Sequence, residues 1–315
     1  MTRSVQGIID IVDNHRVGAS EKPLRFVLPS PSLGSEVTIG WIRAPVLPHI
    51  QAASTVFSVS DDTVRFIASL DDFERRSAAV AGLCAQWRDS GLFSDTIGPK
   101  KWRDELYSVY YDPFQRSAQG GKEVAFVMER TCCSLFGLVT YGVHMSMYTE
   151  DESGMRLWIP TRAKTKQTWG GYLDNTVAGG IPHGMSPTEA LIKECMEEAS
   201  LPEDFVRKHL KAVGVVSYFY QTKEGWLQPE VQYTYDLRVP SGVDTPAPQP
   251  LDGEVESFAL LSVDEAMEKM HQGLFKPNCA LVLVDFLIRH GIITAESEPN
   301  YLDIITRTHG RWGMS

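Results

Sequence analysis

The stretch AGGIPHGMSPTEALIKECMEEASL, from Ala178 to Leu201, constrains this chain more than any other part of its sequence. Paired glycines open it, and a helix start follows. Ser186 can cap the helix, and Pro187 fits the first helical position, where the missing N–H would have no partner anyway. Glu189 stands three residues after Ser186, a spacing that predicts a capping box. The pattern therefore predicts a glycine loop that runs directly into a well-capped helix.

Three carboxylates share one face of that predicted helix. They are Glu194, Glu197 and Glu198, at positions i, i+3 and i+4. Like charges at this spacing destabilise a helix by a few tenths of a kcal/mol per pair. A hard cation such as Mg²⁺, which prefers carboxylate oxygens, would reverse that repulsion. A solvated acidic face is the alternative, and helix chemistry alone leaves both interpretations open.

The spacing of the whole stretch resembles the Nudix box, G-x5-E-x7-R-E-U-x-E-E-x-G-U, where U is a bulky aliphatic residue. Gly179 matches the first glycine, Glu194 the glutamate of the R-E pair, and Leu201 the final aliphatic residue. Glu197 and Glu198 match the E-E pair. The resemblance implies a metal-binding loop–helix–loop and hydrolysis of a diphosphate linked to an organic group. Mg²⁺ or Mn²⁺ is the implied cofactor.

Three positions depart from the box. Met185 stands where the box has its first glutamate, Lys193 where it has arginine, and Ser200 where it has the late glycine. In the family, the first glutamate and the arginine act like a brace, because they pair with each other or with neighbouring residues of the helix. This chain has neither residue of that pair. Serine at position 200 replaces glycine, the residue best suited to the left-handed conformation at a helix end. We expect Ser200 to cap the following helical segment instead.

The similarity extends beyond the box. The segments LWIPTRAKTKQTWGGYLDNTVAGGI, DGEVESF and GLFKPNCALVLVDFLIRHG resemble a branch of the Nudix superfamily that includes the Nudix part of fungal thiamin pyrophosphokinase-related proteins. Members of that branch carry an extra N-terminal domain. The resemblance implies thiamin diphosphate, or its damaged oxo and oxy forms, as substrate. The alternatives are a Nudix hydrolase of nucleoside or dinucleoside polyphosphates and a non-hydrolytic diphosphate-binding sensor.

The resemblance also assigns roles to residues. Glu194 and Glu198 are the expected catalytic residues, with Glu194 orienting or deprotonating the attacking water. The expected metal ligands are Glu194, Glu197, Glu198, Glu254 and the backbone carbonyl of Ala178. Glu254 is the first choice for an acid supplied from outside the box, Glu256 the second, and Glu230 a weaker alternative.

Substrate contacts are predicted from residue chemistry. Arg162 follows a strand and its guanidinium can fork onto phosphate oxygens, while Lys276 precedes a helix N-terminus that favours anions. Aromatic rings suited to stacking on a flat cationic group belong to Trp169, Tyr218 and Tyr220. A packed core ring is the alternative for each of them.

The strand-like segments LRFVL and EVTIGWI and the amphipathic helix DDFERRSAAVAGLCAQWRDSGL predict a smaller α+β domain at the N-terminus. In the later segment EVQYTYDLRV, Val231, Tyr233, Tyr235 and Leu237 share one face of a predicted strand, and two further helices are expected to start near Ser262 and Asn278. The resemblance implies that a Nudix α/β/α sandwich with a mixed sheet follows the first domain, an α/β fold overall. We expect the domains at residues 1–125 and 126–315, joined by a polar connection at 115–123. The formal net charge is −10 with no basic block, which argues against a nucleic-acid surface. Five cysteines without a C-x-x-C motif fit reduced thiols and a cytoplasmic location. No apolar run is long enough for a membrane span, so no membrane partner is expected. The resemblance implies a small-molecule diphosphate as the partner.

Overall fold

The computed structural model describes residues 4–14, 21–31, 34–114, 124–240 and 246–314. The predicted polar connection at 115–123 and part of the proline-rich loop, residues 241–245, lie outside these ranges. None of the helices in the described ranges combines the length and apolar character needed to cross a bilayer.

The N-terminal part of the chain is mixed helix and strand. Its elements are α1 (Val5–Val12), β1 (Leu24–Pro29), β2 (Glu36–Ile42), α2 (Leu47–Ala52), β3 (Phe57–Val59), β4 (Thr63–Phe66), α3 (Phe73–Asp89), α4 (Ser94–Ile97), β5 (Leu106–Tyr110) and β6 (Val124–Glu129). Four strands form a sheet in the order β2-β1-β4-β3, and β5 pairs with β6 as an antiparallel ribbon. Helix α3 begins at its cap Asp72, whose side chain accepts a hydrogen bond from the Arg75 amide, and it packs on β6. The predicted strands LRFVL and EVTIGWI and the predicted amphipathic helix are confirmed.

The C-terminal part forms a layered sandwich. Its elements are β7 (Thr140–Asp151), β8 (Gly154–Arg162), β9 (Val177–Gly180), α5 (Pro187–Ala199), α6 (Glu203–His209), β10 (Leu210–Gln221), β11 (Leu227–Arg238), β12 (Val255–Ser262), α7 (Val263–His271), α8 (Pro277–Arg289) and α9 (Tyr301–Arg307). The sheet order is β10-β11-β7-β8-β12, with β9 also paired to β7. Strands β7 and β11 run parallel and the other pairs antiparallel, so the sheet is mixed as predicted.

Each face of this sheet is covered by helices. Helix α5 packs on one face against alternate residues of β7 and β11, because successive side chains of a strand point to opposite faces. Val231, Tyr235 and Leu237 are buried there and Tyr233 packs beside them, which confirms the predicted apolar face of β11. Helices α1, α7, α8 and α9 cover the other face. The result is an α/β/α sandwich preceded by an α+β domain.

The first helix of the chain packs on the C-terminal sandwich. Val5, Ile8, Ile9 and Val12 repeat at i, i+3, i+4 and i+7 and are buried with residues of α8. Conversely, the core of the N-terminal part continues through β6 to Leu138. The domain boundary between residues 125 and 126 stays a prediction. In the described packing, residues 5–12 belong to the core of the C-terminal sandwich and residues 125–138 to the core of the N-terminal part.

Candidate active site

A cleft of about 950 Å³ opens between one end of the mixed sheet, helix α5 and the N-terminal strand β5. The ends of β7, β8 and β11 meet there, so residues far apart in sequence face the same space. Seven of the predicted site residues line the cleft: Ala178, Arg162, Glu194, Glu197, Glu198, Glu254 and Lys276. Trp169, Tyr218 and Tyr220 lie outside the lining, as does Glu256, whereas Glu230 belongs to it.

Helix α5 starts where the sequence predicts. Ser186 is the N-cap, its side chain accepts a 3.2 Å hydrogen bond from the Glu189 amide, and Pro187 is the first helical residue. The capping box is only half formed, because the Glu189 carboxylate pairs with Arg207 of α6 instead of returning to Ser186. The expectation that Ser200 caps the next helix is wrong: Ser200 ends α5 in the left-handed conformation at φ 53°, and Pro202 caps α6.

The glycine loop and the glutamate helix touch at Gly179. A Cβ atom built on Gly179 would overlap the carboxyl group of Glu194. Glycine is therefore required for close approach of the backbone to a side chain, not for an unusual φ angle. The neighbouring Ala178 amide donates a 3.4 Å hydrogen bond to Oε2 of Glu198. The loop thus holds two of the three predicted carboxylates at one wall of the cleft.

Burial and mutual repulsion set the ionisation of these carboxylates. Burial of Glu194, followed by the charges of Glu197 and Glu254, raises its pKa to about 7, although Lys193 opposes the shift. Glu198 is only 7% exposed, and burial, with the nearby charges of Asp174 and Glu194, raises its pKa well above the ordinary value. Carboxylates held in this way gain most from a neighbouring positive charge.

Glu254 is the acid from outside the box that reaches the cleft. Despite some desolvation by burial, its ion pair with Lys166 and a hydrogen bond from the Glu198 carboxyl lower its pKa. Glu256, the second choice, lies 3.8 Å from Lys164 on the exposed side of β12. Glu230 faces the cleft but is bound to the hydroxyl of Tyr218 and to Gln232, 2.9 Å away. Glu254 is thus the outside acid that contacts the box glutamates.

Glu197 differs from its neighbours on the helix. Its side chain is about half exposed and lies 3.1 Å from the Lys193 ammonium, one turn earlier. The hydrogen bond to Glu197 raises the pKa of Lys193. Lys193 therefore does not brace the loop as the box arginine is expected to do, and Met185 packs against the core under α5.

The two predicted phosphate contacts both face the cleft. Arg162 forms an ion pair with the buried Asp174, and its Nε donates to the backbone carbonyl of Trp169 at 3.2 Å. These contacts fix the guanidinium at the cleft wall. Lys276 is the N-cap of α8, so the helix begins at Pro277 and not at Asn278 as expected. Within the described ranges, the Lys276 ammonium has no carboxylate within ion-pairing distance.

The predicted stacking rings are placed elsewhere. Tyr218 is 3% exposed, and its hydroxyl group binds Glu230, Gln232 and Asn278. No face of this ring is open to a ligand, so the stacking prediction fails for Tyr218. Tyr220 packs at the margin of the core beneath α8, and Trp169 packs edge-on against Tyr172. The two tyrosine rings follow the packing alternative considered above, whereas the partly buried Trp169 ring belongs neither to the cleft lining nor to a core cluster of the described residues.

A buried polar cluster lies behind the cleft. His144, Asp174 and Cys279 bring their potential ligand atoms within 4.8 Å of one another. Burial, assisted by the charge of Lys276, lowers the pKa of His144 to about 4. Burial opposes ionisation of Asp174, but Lys276 and Arg162 hold its pKa at about 2. Arg162 forms an ion pair with Asp174 and the charge of Lys276 acts on it from farther away, so the negative charge of this cluster is already balanced and we assign it no metal.

Sequence reasoning missed the N-terminal wall of the cleft. Arg103, Glu105, Tyr107 and Arg130 line it. The Arg130 guanidinium pairs with Glu105 and lies over the Tyr107 ring, 5.1 Å from its centroid. The polar, charged ends of β5 and β6 were the only sequence signal, and such residues are more often solvated.

Comparisons with known proteins agree with this geometry. Residues 140–279 match the NUDIX domain, and residues 26–140 match a domain of unknown function (DUF4743). The chain is 34% identical to Nudix hydrolase 20, chloroplastic, of Arabidopsis thaliana, an alignment that covers 93% of this chain and 75% of that protein. The chain belongs to the Nudix hydrolase family. Nudix hydrolase 24, chloroplastic, of the same plant is also 34% identical, over 96% of this chain and 77% of the relative. An uncharacterized protein of Saccharomyces cerevisiae is 40% identical over 253 residues, 76% of this chain and 70% of that protein.

Divalent metal ions are typical of Nudix enzymes, and the donor set of this Nudix chain fits a hard divalent cation. Carboxylates of Glu194, Glu198 and Glu254 converge on the cleft, and their charges act on one another. Oxygen ligands of this kind suit Mg²⁺ or Mn²⁺. A bound cation would offset both the burial and the repulsion that raise the first two pKa values.

The raised pKa of Glu194 predicts a pH-dependent stability in metal-free buffer. Because the pKa of Glu194 in the folded protein, about 7, lies above its ordinary value of 4.5, protonation of Glu194 favours the folded state. The stabilisation of the folded state by protonated Glu194 is fully present below about pH 4.5 and is lost as the pH rises through 7. The free energy of unfolding should fall by on the order of 1 to 3 kcal/mol over this range. Urea unfolding of Glu194→Gln between pH 5 and pH 8 should lack this loss. Glu189→Gln, on another side of the same helix, serves as control, and an equal pH slope in all three proteins would contradict the assignment.

Proposed function

We propose that this Nudix protein hydrolyses an organic diphosphate to a monophosphate and phosphate in the presence of Mg²⁺ or Mn²⁺. The observation that carries the proposal is the convergence of Glu194, Glu198 and Glu254 on one cleft. Arg162 and Lys276 face the same cleft and can neutralise phosphate oxygens. An acidic protein with this arrangement can bind a polyanion where its surface as a whole would repel one.

The proposed roles follow from the position and ionisation of each group. Glu198, Glu254 and the Ala178 carbonyl, with Glu197 as a further ligand, would hold the divalent cation, which would supply charge neutralisation and a more acidic water. Glu194, whose carboxylate lines the same cleft beside Glu198, accepts the proton from the attacking water. Arg162 orients the diphosphate through the guanidinium that Asp174 holds in place.

The identity of the organic group is a finer proposal. We infer a thiamin-type diphosphate from the resemblance of three sequence segments to the thiamin pyrophosphokinase-related branch. The cleft volume of about 950 Å³ has room for a diphosphate with a sizeable organic group. The aromatic side chains chosen from the sequence do not line the cleft, so this preference rests on the resemblance. Nucleoside and dinucleoside polyphosphates are the second candidate class.

A substrate panel tests both levels of the proposal. Purified protein with Mg²⁺ or Mn²⁺ is incubated with thiamin diphosphate, its oxo and oxy analogues, ATP and diadenosine polyphosphates, and phosphate release is measured. Where cleavage of a substrate yields a phosphorylated product but no free phosphate, a phosphatase converts that product to phosphate before the measurement. We expect the thiamin-type compounds to react fastest. Comparable rates on the nucleotides would refute the thiamin preference, and an absence of release from every compound would favour the sensor alternative.

A further inference from the structure

The glycine loop is held from outside the Nudix sandwich. Strand β5 of the N-terminal part runs beside residues 180–183 and contacts them at three points. The His183 amide donates a 2.8 Å hydrogen bond to the carbonyl of Leu106, and the Ser108 hydroxyl shares a 2.8 Å hydrogen bond with Nδ1 of His183. The ring of His183 also stacks on Phe73 of α3, with centroids 5.9 Å apart.

The third contact of β5 is made by the aromatic side chain of Tyr107, which lies directly on the glycine loop. The hydroxyl of Tyr107 lies so close to Gly180 that a Cβ atom there would overlap it. Tyr107 is 7% exposed, so packing rather than solvent fixes its ring. Gly179, the residue before Gly180, approaches the Glu194 side chain just as closely. One short path therefore runs from the N-terminal strand through the two glycines to a proposed catalytic carboxylate.

The box positions that are expected to brace this loop cannot do so here. Met185 carries no charge and packs into the core, and Lys193 pairs with Glu197 on the helix surface. A loop that carries two glycines loses more conformational entropy on ordering than other segments do, so it needs contacts to hold it. Pairing of β9 with β7 holds residues 177–180 from within the sandwich, and the contacts from outside the sandwich come from Leu106, Tyr107 and Ser108.

We propose that the N-terminal domain is a positioning element of the active site, in which β5 replaces the missing ion pair of the Nudix box. Ser108 and His183 act as positioning residues: they do not touch the substrate but hold Ala178 and Gly179 against Glu198 and Glu194. This inference rests on the proposed function for its effect on catalysis, while the effect on the loop itself is independent of any substrate. It assigns a role to the DUF4743 region of this chain.

Residues 100–108, which end in β5, also contact the loop that carries Lys166 and Gln167 on the other side of the cleft. The guanidinium of Arg103 donates a 3.0 Å hydrogen bond to the side chain of Gln167, whose amide in turn donates to the carbonyl of Lys100 at 3.1 Å. Residues 100–108 thus join the loop that carries Lys166, the partner of Glu254, to the glycine loop. Both loops that bear proposed metal-binding residues or their partners are tied to one N-terminal segment.

The test compares Ser108→Ala with Ser60→Ala. Ser60 also has a hydrogen-bonded hydroxyl in the N-terminal part, but it bonds within the β3–β4 turn, away from the cleft. Hydrogen exchange in metal-free buffer should become faster in peptides covering residues 178–185 of Ser108→Ala and stay unchanged in Ser60→Ala. With Mg²⁺ and the best substrate of the panel, kcat of Ser108→Ala should fall about tenfold, the worth of one hydrogen bond, with KM within about twofold. The Mg²⁺ concentration for half-maximal rate should rise.

A second pair of variants guards against a general folding defect. His183→Ala removes the partner of Ser108 at an exposed position, and His183→Asn restores an oxygen or N–H near the place of Nδ1. We expect loop exchange and kcat of His183→Asn to lie between those of wild type and His183→Ala. Unchanged exchange and kcat in both Ser108→Ala and His183→Ala would overturn the proposal, as would an equal effect of Ser60→Ala. If wild type hydrolysed nothing, the proposed function would fail while the exchange data still decided the role of β5.

Discussion

Glu198→Gln should lower the rate of diphosphate hydrolysis by at least about 1000-fold, because it removes a negatively charged oxygen ligand from the centre of the proposed metal site. The side chain keeps its size, and a buried group with a raised pKa becomes neutral. In metal-free buffer at pH 7.5 the variant should therefore be at least as stable as wild type. Phosphate release and thermal unfolding measure the two effects. A loss of rate with an equal loss of stability would point to a folding role instead.

Two further glutamates of α5 serve as matched comparisons. Glu197→Gln should also lose nearly all turnover if Glu197 binds the cation, but its half-exposed side chain predicts little change in metal-free stability. Glu189→Gln removes only an exposed ion pair with Arg207 and should keep the wild-type rate. Full activity in both Glu197→Gln and Glu198→Gln would show that neither carboxylate binds a cation that hydrolysis requires.

Gly179→Ala should reduce kcat by about 100-fold or more, because the added Cβ atom must displace the Glu194 carboxyl group or the loop itself. The change is the smallest that the chain permits at this position, and it leaves every titratable group in place. Gly82→Ala is the control, since a Cβ there meets nothing within 4 Å on the exposed side of α3. That control should keep its rate and gain about 0.5–1 kcal/mol in stability. Retention of more than a tenth of kcat in Gly179→Ala would contradict the close approach of Gly179 and Glu194.

Local patterns in the sequence predicted much of the fold. The alternation of Val231, Tyr233, Tyr235 and Leu237 gave the buried face of β11, and Ser262 caps α7 with a complete capping box. These features depend on neighbours within a few residues, so the sequence displays them directly. The repeat of Val5, Ile8, Ile9 and Val12 is typical of an amphipathic helix, but we did not predict this helix, and its packing on α8 depends on residues far away in the sequence.

The site could be predicted only where the box spacing, the family resemblance or the chemistry of a single residue points to it. Glu194, Glu198 and Glu254 face one cleft, but the ion pair of Arg162 with Asp174 and the burial of Tyr218 depend on how strands align in the sheet. The contact between Ser108 and His183 spans 75 positions in the chain. Neither residue carries a local pattern that distinguishes it from an exposed strand or loop residue. Contacts of this kind follow from tertiary packing, which overrides the preferences of single residues.

Calorimetric titration of Mn²⁺ or Mg²⁺ into metal-free wild-type protein tests the central claim most directly, because it requires no substrate. At pH 6.5, in two buffers of different ionisation enthalpy, we predict one saturable site in the cleft and net proton release on binding. Release is expected since carboxyl groups with raised pKa values must ionise to bind a cation. Glu198→Gln should bind at least about tenfold more weakly, and Glu189→Gln should bind like wild type. Equal binding by wild type and Glu198→Gln, or no saturable binding by wild type, would contradict the account.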